Sequence, residues 1–212
     1  MILPTTCRGC WNSVERLVKD SMRKLRRTHW QSRPAGHLPP ALRDWLTEPG
    51  SLTARLQAHC RRFRVQRLAQ YAGAASGEER ALLGLRAAKP VVCREVVLWC
   101  DDIPVVCART VVSRHALQRD WPFFHGLGQR SLGARLFIDP QVRRQPMHYA
   151  ALMQGQALHA YAQRAAALAA NLAATQTLQA RCSIFARRRG KMLVTEIFLP
   201  ALMNLKKLDL KE

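Results

Sequence analysis

The sequence contains few acidic and few aromatic residues. Of its 212 residues, 14 are Asp or Glu against 34 Lys or Arg, and aromatic residues make up only 7%. The resulting formal net charge of +20 favours anionic partners such as nucleic acid, acidic lipid or a small polyanionic substrate. However, the basic residues are spread along the chain, and no groove-binding motif appears. We therefore expect no nucleic-acid partner.

A long apolar run is also missing. The most apolar late stretch, residues 165–174, is alanine-rich and falls well below the ~20 residues that a membrane span needs. The first six residues lack the basic flank and the following apolar stretch of a secretory signal. These features predict a soluble, cytoplasmic protein. The length suits a single domain with a sizeable core, which we expect to be a monomer.

The cysteine pattern does not indicate a disulfide framework. Most of the 7 cysteines stand singly within apolar runs, which is typical of reduced, buried thiols in a cytosolic protein. Cys7 and Cys10 form one Cys-x-x-Cys, but no second pair with ligand spacing follows. We therefore favour free thiols in a loose N-terminus over half of a zinc site, and predict no metal site.

The N-terminal residues 1–28 form a basic extension that is partly helical by pattern. Apolar residues fall on one face of residues 12–27, and basic residues crowd the end of this segment. The favoured interpretation is a solvated helix whose cations suit its C-terminus. The alternative is a weak association with anionic membranes through this basic face. Met22 is an alternative start of the functional chain.

The rest of the chain alternates between strand and helix signals. Two stretches rich in β-branched residues, 90–113 and 181–198, each contain a polar turn and predict antiparallel hairpins. The other predicted elements are short helices from about Pro40 and after Ser51, a strand over 61–72, a helix over 77–85 and a long alanine-rich helix over about 145–179.

Two charged residues interrupt the apolar runs of the hairpins. Arg94 shares a strand face with Val96 and Leu98, and Glu196 lies within the last predicted strand. A buried charge is costly unless an opposite charge meets it. Two interpretations therefore stay open: an ion pair between Arg94 and Glu196, or a polar ligand held between them.

Several short motifs, in order and spacing, resemble the chorismate pyruvate-lyase family, whose enzymes make 4-hydroxybenzoate for ubiquinone. The matching segments are Arg94-Glu95, Cys-Ala-Arg-Thr-Val-Val at 107–112, Ser-Leu-Gly-Ala-Arg-Leu-Phe at 131–137, Ala-Arg-Cys-Ser-Ile-Phe at 180–185 and Gly-Lys-Met-Leu-Val-Thr-Glu-Ile-Phe-Leu-Pro at 190–200. The resemblance covers residues 29–202, between the basic extension and a C-terminal tail of residues 203–212. Within it, the alanine-rich helix looks like an enlarged family segment.

The resemblance implies an α+β fold, in which an antiparallel sheet is packed with helices and mobile helical flaps cover a buried ligand. It also implies a lyase that removes pyruvate from chorismate to leave 4-hydroxybenzoate, without a metal or organic cofactor. A positive protein field should assist encounter with dianionic chorismate.

Residue by residue, the resemblance assigns four positions. Arg94 matches the arginine that grips the product carboxylate, and Glu196 matches the glutamate that contacts the 4-hydroxyl. Leu132 matches a flap leucine whose backbone N–H helps to hold the carboxylate. Leu52 stands where the family has a methionine with a similar backbone role. Cys182 stands where arginine is usual, at the expected edge of the pocket.

Two other classes of function compete with the lyase. Effector domains of certain transcription regulators look similar in fold, so a non-catalytic sensor of small aromatic acids is one alternative. A basic binder of nucleic acid or membrane surfaces is the other. The sequence contains no recognisable helix-turn-helix, which argues against a complete regulator.

Overall fold

The computed structural model of the protein describes residues 26–86, 89–167 and 176–205. The helices and strands are α1 (Pro40–Thr47), α2 (Leu52–Gln57), β1 (Phe63–Ala74), α3 (Gly77–Leu83), β2 (Pro90–Cys100), β3 (Ile103–Ser113), α4 (Arg114–Asp120), a 3-10 helix (Pro122–Leu127), α5 (Leu132–Leu136), β4 (Val142–Arg144), β5 (His148–Leu152), α6 (Ala157–Ala166), β6 (Leu178–Arg187), β7 (Gly190–Phe198) and a second 3-10 helix (Pro200–Asn204). The expected N-terminal helix, the Cys7–Cys10 pair and residues 206–212 of the tail lie outside the described residues.

Within these ranges, seven strands form one antiparallel sheet. The strand order is β1-β2-β3-β7-β6-β4, and β5 also pairs with β6. The two predicted hairpins are β2–β3 and β6–β7, and the central pairing of β3 with β7 joins them. The first hairpin begins at residue 90 and the second ends at residue 198, so segments distant in sequence meet in the middle of one sheet.

Each hairpin closes through a turn of two residues. Asp101 and Asp102 connect β2 to β3 and both have positive φ, 48° and 65°. Arg188, with φ of 52°, and Arg189 connect β6 to β7. Two-residue turns with left-handed backbone match the twist of antiparallel strands and so fix the register of each hairpin.

The long helix predicted over about 145–179 is wrong. His148–Leu152 is a strand, helix α6 spans only Ala157–Ala166, and Leu178 already belongs to β6. The alanine-rich composition favours helix locally, but the open edge of β6 offers backbone hydrogen bonds to residues 148–152. Tertiary pairing outweighs local propensity here.

Helices cover both faces of the sheet, which explains why its strands are apolar on both sides. On one face, α1 and α2 pack with Val96 and Leu98, and α5 packs near Val92. On the other face, α6 packs around Val97 and α3 packs beside Val91. The pocket described below lies on the first face, between the sheet and helices α2 and α5.

No helix in the described ranges is both long enough and apolar enough to cross a membrane.

Candidate active site

The floor of the candidate site consists of two neighbouring rows of cross-strand partners. One row runs through Arg94, Thr110, Val194 and Ser183, and the other runs through Val96, Ala108, Glu196 and Arg181. Directly opposed residues project from the same face of a sheet. Arg94 and Glu196 therefore face the same pocket, with Cα atoms separated by two strand spacings and two residues, about 12 Å.

Arg94 is a buried guanidinium, and the described chain provides it with no carboxylate partner. Its side chain is 2% exposed. Nη2 donates to the carbonyl oxygens of Gly128 and Arg130, at 3.2 and 3.0 Å. Nε is buried and finds no acceptor among the described residues. Burial, with a smaller repulsion from Arg67, lowers the pKa of Arg94 to about 10, so it stays charged at neutral pH.

Glu196 is paired with Arg181 rather than with Arg94. Nε of Arg181 donates to Oε2 of Glu196 at 2.6 Å. The remainder of the Arg181 guanidinium is anchored at the end of α1, where Nη1 donates to the carbonyl oxygens of Trp45, Leu46 and Glu48 at 3.3, 3.0 and 2.9 Å. The ion pair between Arg94 and Glu196 is thus excluded, and the interpretation in which a polar ligand meets Arg94 remains.

The roof of the pocket consists of the first turns of two short helices. Leu52 is the first residue of α2 and Leu132 is the first residue of α5, and both line the pocket. Ser51 and Ser131 cap these helices by accepting hydrogen bonds from the backbone N–H three residues later. The backbone N–H groups of first helical residues have no acceptor inside their own helix.

A hydrogen bond joins the two roof helices. Thr53 Oγ1 lies 2.6 Å from Ser131 Oγ, although 78 residues separate them in sequence. The helices approach so closely that a Cβ at Gly133 would lie 3.0 Å from Thr53 Oγ1. The roof is therefore formed where two segments distant in sequence pack against each other.

Across the residues described, no group of three or more His, Cys, Asp or Glu side chains is placed to hold a metal ion.

Comparisons with known proteins identify the family to which the chain belongs. The chorismate lyase family model matches residues 24–207. The chain belongs to the chorismate lyase family.

Curated members of this family resemble the chain over most of its length. A protein of Cupriavidus pinatubonensis named probable chorismate pyruvate-lyase is 46% identical over 167 residues, covering 79% of this chain and 84% of that protein. A protein of Aromatoleum aromaticum with the same name is 44% identical over 177 residues, covering 83% and 94%.

A solved structure supports the fold alone. PhnF from Mycobacterium smegmatis superimposes with a TM-score of 0.52 at 14% identity, covering 95% of this chain and 85% of that one. The predicted α+β class, with an antiparallel sheet and packed helices, is confirmed.

The four residues assigned from the chorismate lyase resemblance all line this one pocket: Arg94, Glu196, Leu132 and Leu52. Cys182, in contrast, lies on the other face of the sheet, packed with Val91 and Cys93. The expectation that Cys182 borders the pocket is wrong, because adjacent residues of a strand point to opposite faces. Its neighbour Arg181 is the residue that lines the site.

Sequence reasoning missed Arg181 and Arg144, which also line the pocket. A signal for Arg181 was present. If the second hairpin turns at Arg188 and Arg189, counting back along both strands places Arg181 directly opposite Glu196, as the structure shows. The sequence contains no such signal for Arg144, because its strand β4 does not form a hairpin with β6. The pairing of these two strands depends on tertiary contacts.

Two charged residues of the family motifs lie on the opposite face, away from the pocket. Arg109 donates to Glu79 of α3 at 2.8 Å and to Glu95 of β2 at 2.5 Å. The same guanidinium lies 3.0 Å from the hydroxyl of Tyr71. This cluster fastens α3 to the sheet and does not contact the candidate site.

Proposed function

We propose that the chain is a chorismate pyruvate-lyase, a carbon–oxygen lyase that releases pyruvate from chorismate and leaves 4-hydroxybenzoate. The observation that carries the proposal is the charged, buried Arg94, which lacks a carboxylate partner in the described chain and faces the same pocket as Glu196. In a member of the chorismate lyase family, that cation is suited to a ligand carboxylate.

The reaction requires little chemical assistance from the protein. The bond between ring C3 and the ether oxygen breaks, and the hydrogen on C4 leaves as a proton. The ring becomes aromatic, and the released enolpyruvate takes up a proton to give pyruvate. The protein therefore has mainly to bind the ring, orient the ether and exclude water.

The residues of the pocket divide these tasks. Arg94 pairs with the ring carboxylate, with help from the backbone N–H groups of Leu52 and Leu132 in the roof. Glu196, fixed by Arg181, contacts the 4-hydroxyl at the other end of the ring. The apolar side chains of Val96 and Leu136 supply the surface on which the ring packs.

The product and the location complete the proposal. 4-Hydroxybenzoate would serve as the aromatic precursor of ubiquinone, and the enzyme would act in the cytoplasm as a monomer. The proposed membrane association of residues 1–28 concerns a segment that is largely outside the described residues.

The deciding experiment is to incubate purified protein with chorismate and to follow pyruvate and 4-hydroxybenzoate together. We expect equimolar release of both, above the spontaneous background. The Arg94→Met variant should lose at least about 100-fold in kcat/KM, because a substrate carboxylate is then buried without its cationic partner. Arg143→Gln is the matched control, since Arg143 is exposed on β4.

Three results would contradict the proposal. Normal turnover by Arg94→Met would remove the role assigned to Arg94. Binding of 4-hydroxybenzoate without turnover would favour a sensor on this fold. Neither turnover nor binding, together with salt-dependent binding to nucleic acid, would favour the basic binder instead.

A further inference from the structure

A third arginine, Arg144, lines the pocket at the end remote from Arg94. It is the last residue of β4, and its Nε donates to Ser183 Oγ at 2.9 Å. Nη1 donates to the carbonyl oxygens of Pro49 and Gly50, at 3.1 and 3.4 Å. The guanidinium is thus held in one place by the sheet and by the segment that leads into α2.

Arg144 has no carboxylate partner of its own within the described residues. Two carboxylates exert a field on Arg144, and each already contacts another arginine. Glu196 pairs with Arg181 at 2.6 Å, and Glu48 lies 3.1 Å from Arg55, a guanidinium that it shares with the exposed Asp44. No ion pair joins Arg144 itself to a carboxylate in the ranges that the structure describes. Burial and then the field of Arg181 lower the pKa of Arg144, while Glu196, Tyr149 and Glu48 oppose this shift.

The pocket therefore presents three guanidinium groups, from Arg94, Arg144 and Arg181, and a single carboxylate, from Glu196. The pair formed by Arg181 and Glu196 is neutral as a unit. Two cations are left over. A partly buried cation is costly without an anion beside it, so this pair of cations favours a ligand with two negative charges.

The two unpaired guanidinium groups lie on the same face of the sheet, and that of Arg144 reaches from β4, where its backbone pairs with Phe185, to Ser183 of β6. Ser183, which Arg144 contacts, lies in the same cross-strand row as Arg94, with Thr110 and Val194 between them. Three strand spacings separate the ends of this row by about 14 Å between Cα atoms. Arg94 projects from one end of this row, the Arg144 guanidinium reaches the other end, and both line the pocket, so each group can meet one carboxylate of the same ligand.

We propose that Arg144 binds the second carboxylate of a dicarboxylate substrate, namely that of the enolpyruvyl group of chorismate. This inference rests on the proposed function and deepens it. Arg94 then recognises the carboxylate that remains on the ring, whereas Arg144 recognises the carboxylate that leaves with pyruvate. Arg144 is a specificity residue that favours the dianionic substrate over the monoanionic product.

The test compares a monoanion with dianions in the Arg144→Gln variant, which removes the charge and keeps a hydrogen-bond donor. We expect kcat/KM for chorismate to fall about 100-fold, and the Kd of 3-(carboxymethoxy)-4-hydroxybenzoate, a dianionic analogue, to rise by a similar factor. The Kd of 4-hydroxybenzoate should change less than about threefold. Arg143→Gln, one residue earlier on the exposed side of β4, is the control for changes in overall charge.

A purely structural role predicts a different pattern. If Arg144 only holds Pro49 and Gly50 in place, both ligands lose affinity together because Leu52 is displaced, and the inference is overturned. An unchanged kcat/KM for chorismate overturns it as well. Should Arg144→Gln fail to fold, Arg144→Lys retains the positive charge without the planar fork, and the dianion should then lose about tenfold relative to 4-hydroxybenzoate.

Failure of the proposed function has its own signature. In that case the wild-type protein releases no pyruvate from chorismate. The ratio of the two Kd values, for the dianionic analogue and for 4-hydroxybenzoate, still reports whether Arg144 recognises a second carboxylate. A ratio that is equal in wild type and Arg144→Gln contradicts the inference whether or not the protein turns over chorismate.

Discussion

Arg181 holds the candidate site together at the scale of single residues. It is 1% exposed, and it satisfies one carboxylate and three carbonyl oxygens from two distant segments of the chain. By contrast, Arg94 is equally buried but donates only to carbonyl oxygens in the described structure. One arginine thus has a structural role, and the other is free to bind a ligand.

Replacing Arg181 should therefore lower the free energy of unfolding more than replacing an exposed charged residue does. We expect Arg181→Met to lower the free energy of unfolding by about 3–5 kcal/mol, because Glu196 and three carbonyl oxygens lose their donor. Urea unfolding followed by circular dichroism measures this change. Arg62→Met is the control, since its pair with Asp102 is exposed and should contribute at most about 1 kcal/mol. Equal stability of the two variants would contradict this assignment.

At the scale of secondary-structure elements, the roof is formed by α2 and α5, two short helices that pack together and are joined by a hydrogen bond between hydroxyl groups. Thr53 Oγ1 and Ser131 Oγ form this hydrogen bond directly above the pocket. Both helices are short and both line the pocket, so we expect a ligand to enter or leave when they separate. Flap opening of this kind commonly limits turnover.

Removal of the hydroxyl should loosen the roof. We expect Thr53→Val to raise the dissociation rate of 4-hydroxybenzoate about threefold to tenfold, the effect of one lost hydrogen bond. Stopped-flow displacement of bound product measures the rate. Thr47→Val is a matched control, because its hydroxyl bonds only to Arg43 within α1, at 2.9 Å. A dissociation rate that is unchanged in Thr53→Val would mean that product leaves by another route.

At the scale of the whole molecule, the formal net charge of +20 creates a positive field around an enzyme whose proposed substrate is a dianion. Such a field raises the rate at which anions reach the pocket, and dissolved salt screens it. The charge is spread over the chain, so the effect belongs to the molecule and not to one residue.

The association rate of 4-hydroxybenzoate should therefore depend on salt. Between about 0.01 M and 0.1 M ionic strength the screening length falls from ~30 Å to ~10 Å, and we expect the rate to fall about threefold to tenfold. Stopped-flow binding measures it, and the neutral 4-hydroxybenzamide serves as the control ligand. The same salt dependence for both ligands would show that steering by charge is not the cause.

The local sequence was sufficient to predict the two hairpins and to predict which of their residues share a strand face. The β-branched runs and the polar turns between them predicted β2–β3 and β6–β7. Parity placed Arg94 on one strand face with Val96 and Leu98, and the structure shows that this face lines the pocket. The same reasoning failed for residues 145–179. Their alanine content favours helix, but residues 148–152 gain backbone hydrogen bonds at the edge of β6.

The partners of the charged side chains were decided only by the tertiary structure. The sequence left Arg94 and Glu196 as either an ion pair or two sides of a ligand site, and the strand order resolves this. Glu196 lies beside Arg181, whereas β3 separates β7 from the strand that carries Arg94. The register of a hairpin is fixed by residues that are close in sequence. The pairing of one hairpin with another depends on burial across the whole sheet, and the periodicity of a single segment does not contain this information. Sequence alone therefore identified Arg94 and Glu196 as charged residues within buried strands, and the assembled sheet added Arg181 and Arg144 and decided which of these charges lacks a partner in the described residues.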